Sequence, residues 1–120
     1  MTHPIAWPIP ARHDHDGIEW PAVRHPGYAW HAQAKCNGEN PARWDYPDSP
    51  TMRGKRLRAA EACHGCPVVQ QCATAALAEH SREIVRAGVP IPGYSGDIRA
   101  AIQQLEIRAG IHQQQAEEAA

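Results

Sequence analysis

Residues 63–72 read CHGCPVVQQC, so Cys63, Cys66 and Cys72 fall within ten positions, while 26 residues separate the fourth cysteine, Cys36, from Cys63. Three thiols this close in sequence, joined by one from a distant stretch, would close a long loop of backbone through a common centre. The rest of the chain suggests why it needs such a centre. Phe is absent and Leu occurs only at 57, 77 and 105, with Ala supplying most of the remaining apolar content. A 120-residue chain fits one domain, and one this poor in large side chains calls for a staple.

The compartment decides which staple. Residues 1–20 (MTHPIAWPIPARHDHDGIEW) are broken by Pro4, Pro8 and Pro10 and carry neither a basic leader nor a continuous apolar run, so a cytoplasmic location is expected. No stretch approaches membrane-spanning length. In reducing surroundings, closely spaced cysteines serve more often as metal or redox groups than as disulfides. Four thiolates suit an iron–sulfur cluster, the cubane [4Fe-4S] form above all, because clustered iron supplies the positive charge that keeps them ionised. Other readings use the same residues. A four-cysteine zinc site needs identical donors, although zinc ribbons usually bring two paired knuckles and only Cys63 and Cys66 form one here. A thioredoxin-like dithiol would follow a buried strand, whereas RGKRLRAAEA (53–62) is charged and helical in character. Two disulfides or four inert thiols complete the alternatives. His64 could replace a thiolate, and His13 with His15 could bind a metal adventitiously; an exposed loop histidine and a solvated arm are the simpler accounts.

Along the chain, the Pro-, His- and Trp-rich residues 1–29 show no periodicity and read as an extended arm that is ordered where an aromatic docks, Trp30 being the first candidate. Asn40-Pro41-Ala42-Arg43 offers an N-cap followed by proline, predicting a short helical turn that carries Trp44 and ends before Pro47. Thr51 should cap a helix over 52–62. A longer helix is expected from Pro67 until Gly88 stops it, burying Val69, Cys72, Ala76 and Ile84. GVPIPGY (88–94) must be a turn or loop, after which Ser95 caps a last helix with Ile98, Ile102 and Leu105 on one face. The expected fold is all-α, a bundle of three to four short helices around the cluster. Its parts are the arm (1–29), a cluster-binding domain (30–94), and a C-terminal helix with a polar tail (95–120).

At these residues the chain resembles the WhiB-like proteins, actinobacterial and actinophage regulators built on a four-cysteine [4Fe-4S] cluster. CHGCPVVQQC is similar to the family's C-x2-C-P-V-x3-C segment, and CATAAL (72–77) continues like its C-x3-A-L helix. NPARWDYP (40–47) resembles the acidic-Pro-aromatic-aromatic-Pro stretch that follows the first cysteine, and Trp30 stands where members often carry tryptophan. The resemblance covers roughly residues 30–100. It implies Cys36, Cys63, Cys66 and Cys72 as cluster ligands and the C-terminal region of the RNA polymerase primary sigma factor as partner. Trp30, Trp44, Tyr46, Gly88, Val89, Pro90 and Tyr94 would then lie at or near the partner surface. The chain departs from the family at its Gly-Val/Ile-Trp-Gly-Gly turn, where Pro90 takes the tryptophan's place.

Family members that bind DNA carry a basic segment after that turn. Here residues 95–120 offer Arg99 and Arg108 against Asp97, Glu106, Glu117 and Glu118, and the whole chain carries a net charge of −1. Weak or no autonomous DNA binding is therefore expected, with any effect on DNA passing through sigma. The RGKRLR run (53–58) reads as a solvated helix face. No Ser-His-Asp set, phosphate-cradling glycine loop or carboxylate pair suggests catalysis, and no small-molecule substrate is expected. The sequence thus points to a non-enzymatic transcription regulator. A redox- or nitric-oxide-sensing cluster protein and a zinc-stabilised interaction module are the alternatives.

Overall fold

A computed structural model describes residues 12–13, 17–93 and 95–111. The His13 and His15 side chains, Tyr94 and the polar tail from residue 112 lie outside the described set.

Three helices carry the fold: α1 (Met52–Ala62), α2 (Val69–Glu79) and α3 (Ser95–Ala109). Two of the three predicted caps are in place, while Ser95 is the first residue of α3 and its side chain lies outside the described set. The Thr51 side chain accepts the Gly54 N–H at 3.0 Å to start α1, and Asn40 Oδ1 accepts the Ala42 N–H at 3.1 Å to start a 3₁₀ turn over Pro41–Trp44. Another 3₁₀ turn spans Ala29–Gln33.

The all-α expectation needs correction, because two small antiparallel pairs accompany the helices: β1 (Arg12–His13) with β2 (Glu19–Trp20), and β3 (Ile84–Arg86) with β4 (Val89–Ile91). In the second pair β4 occupies part of GVPIPGY (88–94), expected to be a turn or loop, and β3 occupies sequence expected to prolong α2 to Gly88. That helix stops early, at His80, whose backbone is left-handed (φ 54°, ψ 49°). The His80 N–H bonds to Leu77 O and the Ser81 N–H to Ala76 O, at 3.3 and 3.1 Å, which is a Schellman closure with histidine in the usual glycine place. A left-handed non-glycine residue costs about 1–2 kcal/mol. Much of this is offset where the imidazole stacks on Trp20, centroids 4.6 Å apart and 6° from parallel, since aromatic pairs contribute about 0.5–1.5 kcal/mol.

Beyond His80, Ile84-Val85-Arg86 and Val89-Pro90-Ile91 are rich in β-branched residues, and Ala87 (φ 55°) with Gly88 (φ 76°) supplies the two left-handed positions of a two-residue hairpin turn. Arg86 and Val89 flank the turn, so Val85 and Pro90 form the next, non-hydrogen-bonded pair. Proline is tolerated there because no ladder bond requires its missing N–H. β4 is wedged between α1 and α3, and all three of its residues are buried.

The main core joins α2, α3 and β4 through Leu77, Ile91, Ile98, Ile102 and Leu105, with Ala73 and Ala76 letting the two helices approach closely. Ile18 and Trp20, both fully buried, also belong to it. Ile18 and Trp20 of the expected arm are therefore core material, and Trp20 is the core's deepest aromatic.

Candidate metal centre

Two of the cysteines open similar turns. In Cys63-His64-Gly65-Cys66 the Cys66 N–H returns to Cys63 O at 3.1 Å with Gly65 at φ 79°. In Cys36-Asn37-Gly38-Glu39 the Glu39 N–H returns to Cys36 O at 3.1 Å with Gly38 at φ 83°. Positive φ at the third position is what a type II turn demands, so glycine two residues after cysteine is the local rule that shapes both loops. Lys35 Nζ ties the loops together by donating to His64 O at 2.8 Å. Cys63 directly follows the last turn of α1, while Cys72 lies within α2 with its N–H on Val68 O.

All four cysteines are free and line one cavity of about 400 Å³. Two tryptophans bracket them. Trp30 packs with Val68 and Ala75 against Cys66 and Cys72, and Trp44 packs with Ala59, Ala62 and Val85 against Cys63. The Trp30 indole N–H donates to Gly27 O at 2.6 Å; that of Trp44 donates to Cys63 Sγ at 3.3 Å. Ile84, which bridges Asp45, Val85 and Ala87 close the far wall.

Burial pushes the thiols of Cys36 and Cys63 above their ordinary pKa. For Cys36 the neighbouring Cys72 adds to the effect, while at Cys63 the Trp44 N–H partly opposes it. They ionise fully only beside positive charge, which bound metal supplies. The protein places a cation at this wall. Arg86 bonds to Glu79 Oε1 and Ser81 Oγ, each at 3.0 Å, and although its burial works the other way, Cys72 and Glu79 together hold it firmly protonated. Glu79 also receives His25 Nε2 at 2.6 Å.

Among the described residues, no three His, Cys, Asp or Glu side chains converge tightly enough to hold one metal ion. Four thiolates around a single zinc, each at about 2.3 Å from it, would lie roughly 3.8 Å apart. Four thiols spread around one cavity of about 400 Å³ suit a polynuclear group bound at separate corners.

The remaining sequence-nominated residues fall in several places. Trp30 and Trp44 line the cavity but are buried, and Gly88, Val89 and Pro90 are buried between the helices. Tyr46 is half-buried under Lys55 Nζ, 5.7 Å from its ring centroid, and lines no part of the cavity. His64 is exposed and does not line the cavity either. Sequence reasoning overlooked Tyr28, 64% exposed at the cavity's rim and in ring contact with His25 and His31, and it overlooked Arg86. The signal for Tyr28 was its place two residues before Trp30; Arg86 had none, because its role depends on the hairpin.

Fold and site together define a small, mainly helical protein with four cysteines lining one cavity on a scaffold of three helices. The family model for the transcription factor WhiB matches residues 30–101, and the chain belongs to that family, whose members are transcription regulators. It is 29% identical over 85 residues to the redox-responsive transcriptional regulator WhiB3 of Mycolicibacterium smegmatis, covering 68% of this chain and 79% of that protein. No solved structure gives a significant match. Among the described residues, no helix is long and apolar enough to cross a membrane.

Proposed function

We propose that this protein is a regulator whose Cys36, Cys63, Cys66 and Cys72 hold one [4Fe-4S] cluster, and whose cluster-side surface binds the C-terminal region of the primary sigma factor. One observation carries the reading: four thiols from three separate segments line a single cavity without converging on one ion. The bound cluster would supply an electron-accepting, oxidant-reactive centre. The chain's own residues do the rest. Trp30 and Trp44 exclude water from the sulfurs, and Arg86 offsets the negative charge of the thiolates. Lys35 locks the Cys36 loop against the Cys63 loop.

Exposed Tyr28 and His31 border the cavity and supply an aromatic surface of the kind protein interfaces favour. Occupancy of the site would fix this rim, because Cys36 lies in the loop that follows Trp30 and His31. Residues 95–111 carry too little positive charge to neutralise many phosphates, so DNA would be reached through sigma.

The test is anaerobic purification followed by iron and sulfide analysis and capture of the primary sigma factor's C-terminal region. Four irons and four sulfides per chain, with capture lost after iron removal, are expected for the [4Fe-4S] reading. A folded, colourless zinc protein, or one that binds duplex DNA tightly but ignores sigma, would overturn it. A sensing role is favoured by Cys36, which is exposed and thus open to oxidants. The redox-responsive relative supports the same role. Exposure to air or nitric oxide should then abolish sigma capture as the cluster absorbance bleaches.

A further inference from the structure

Trp44 and Cys63 lie 19 residues apart in sequence, yet the indole Nε1–H of one reaches the sulfur of the other at 3.3 Å. An indole nitrogen can only donate, and Trp44 is 8% exposed, so the bond has little competition from water. Several independent contacts fix the ring. The Asn40 cap and Pro41 set the 3₁₀ turn, and the Asp45–Ile84 bridge pins its far end to β3. Ala59, Ala62 and Val85 pack on the ring, with the Arg43 guanidinium 5.4 Å from its centroid.

We infer that Trp44 tunes the cluster, its N–H raising the reduction potential by stabilising electron density on the Cys63 sulfur. The inference rests on the four-cysteine reading above. A thiolate bound to iron accepts a hydrogen bond more strongly than a neutral thiol. Reduction adds negative charge shared by the ligating sulfurs, so a fixed donor favours the reduced cluster more than the oxidised one. Hydrogen bonds to metal ligands are among the levers by which a protein sets the behaviour of its metal.

Trp30 provides an internal control. It is comparably buried and packs against Cys66 and Cys72, but its N–H is spent on Gly27 O. A generic role in covering the site would belong to both tryptophans; a donor role belongs to Trp44.

The experiment uses the full chain, loaded anaerobically and titrated spectroelectrochemically, as wild type, Trp44→Phe and Trp30→Phe. A further protein carries 3-benzothienylalanine at position 44, which keeps the indole's shape but has sulfur in place of N–H and so guards against misfolding of Trp44→Phe. Resonance Raman of the oxidised cluster reads the iron–sulfur stretches independently. Both replacements at 44 should lower the midpoint potential and raise a stretching frequency, while Trp30→Phe leaves both in place. An unshifted potential and spectrum in the benzothienyl protein, or equal shifts in Trp30→Phe, would sink the inference. A wild-type chain that takes up no iron and sulfide would instead defeat the functional reading beneath it.

Discussion

Cys63 stands where three local devices meet. It ends α1, it opens the Gly65 turn that leads to Cys66, and it receives the Trp44 N–H. Gly88 is the hairpin residue nearest to it: a β-carbon built there would lie 3.8 Å from Cys63 Cβ, an ordinary contact, while the backbone sits at φ 76°. Gly88→Ala should therefore destabilise through backbone strain alone, by about 1–2 kcal/mol, measured as a lower denaturant midpoint with the iron content of the folded protein unchanged. Loss of iron at wild-type stability would show that the turn shapes the site rather than the fold. At this scale much was legible. Asn40 and Thr51 cap as their side chains dictate, and four cysteines at those spacings pointed to one centre. His80 was not legible, because a left-handed histidine is stabilised by Trp20, 60 positions away.

Among the elements, α2 is the hub, since it offers Cys72 to the cavity and Ala73, Ala76 and Leu77 to the main core. Leu77 is completely buried. Leu77→Ala should cost about 2–5 kcal/mol, a large fraction of a small domain's stability. The check is the unfolding midpoint of the cluster-loaded variant, with a loss under 1 kcal/mol meaning that the helices collapse to fill the gap. The hairpin after α2 was the element that sequence reading misassigned. HSREIVRAG has no proline before residue 90 and composes a credible helix by propensity alone. What converts 84–91 to strands is burial of β4 between α1 and α3, which rewards β-branched residues, while Pro90 falls where no ladder bond needs its missing N–H.

For the whole molecule, the cysteine cavity and the main core are distinct. Among the described residues, Ile18 and Trp20 join α2, α3 and β4 in a core that leans on the cysteines only through Cys72, whereas the segment from Trp30 to Trp44 reaches the fold through its two tryptophans, Ala34 and the Lys35–His64 hydrogen bond. Stripping iron with a chelator should thus raise amide exchange first across 29–45, with α2 and α3 keeping their protection. Uniform loss of protection would instead mean that the cluster nucleates everything.

The His25–Glu79–Arg86 chain links residues before the cavity to α2 and β3. Burial alone would raise the Glu79 pKa, but hydrogen bonds from His25 and Arg86 outweigh it and hold it below 4.5. Because the folded-state value is the lower one, the stabilisation is present above the unfolded-state pKa and is lost as pH falls toward the folded one. Glu79→Gln should therefore lower stability at neutral pH and converge with wild type as pH drops below the ordinary glutamate range, read from paired denaturant midpoints. Curves that stay parallel would remove Glu79 from the acid response.

By itself the sequence determined the spacing of the four cysteines, the Asn40 and Thr51 caps and the kinship with WhiB regulators, because caps, turns and cysteine spacings are short-range and carry their chemistry in residue identity. Only the tertiary structure decided that α2 ends at His80, that 84–91 pairs as a hairpin, that Ile18 and Trp20 complete the core, and that Trp44 and Arg86 attend the sulfurs. Each of these depends on a partner far along the chain, and burial between packed elements outweighs the local preferences that a sequence displays.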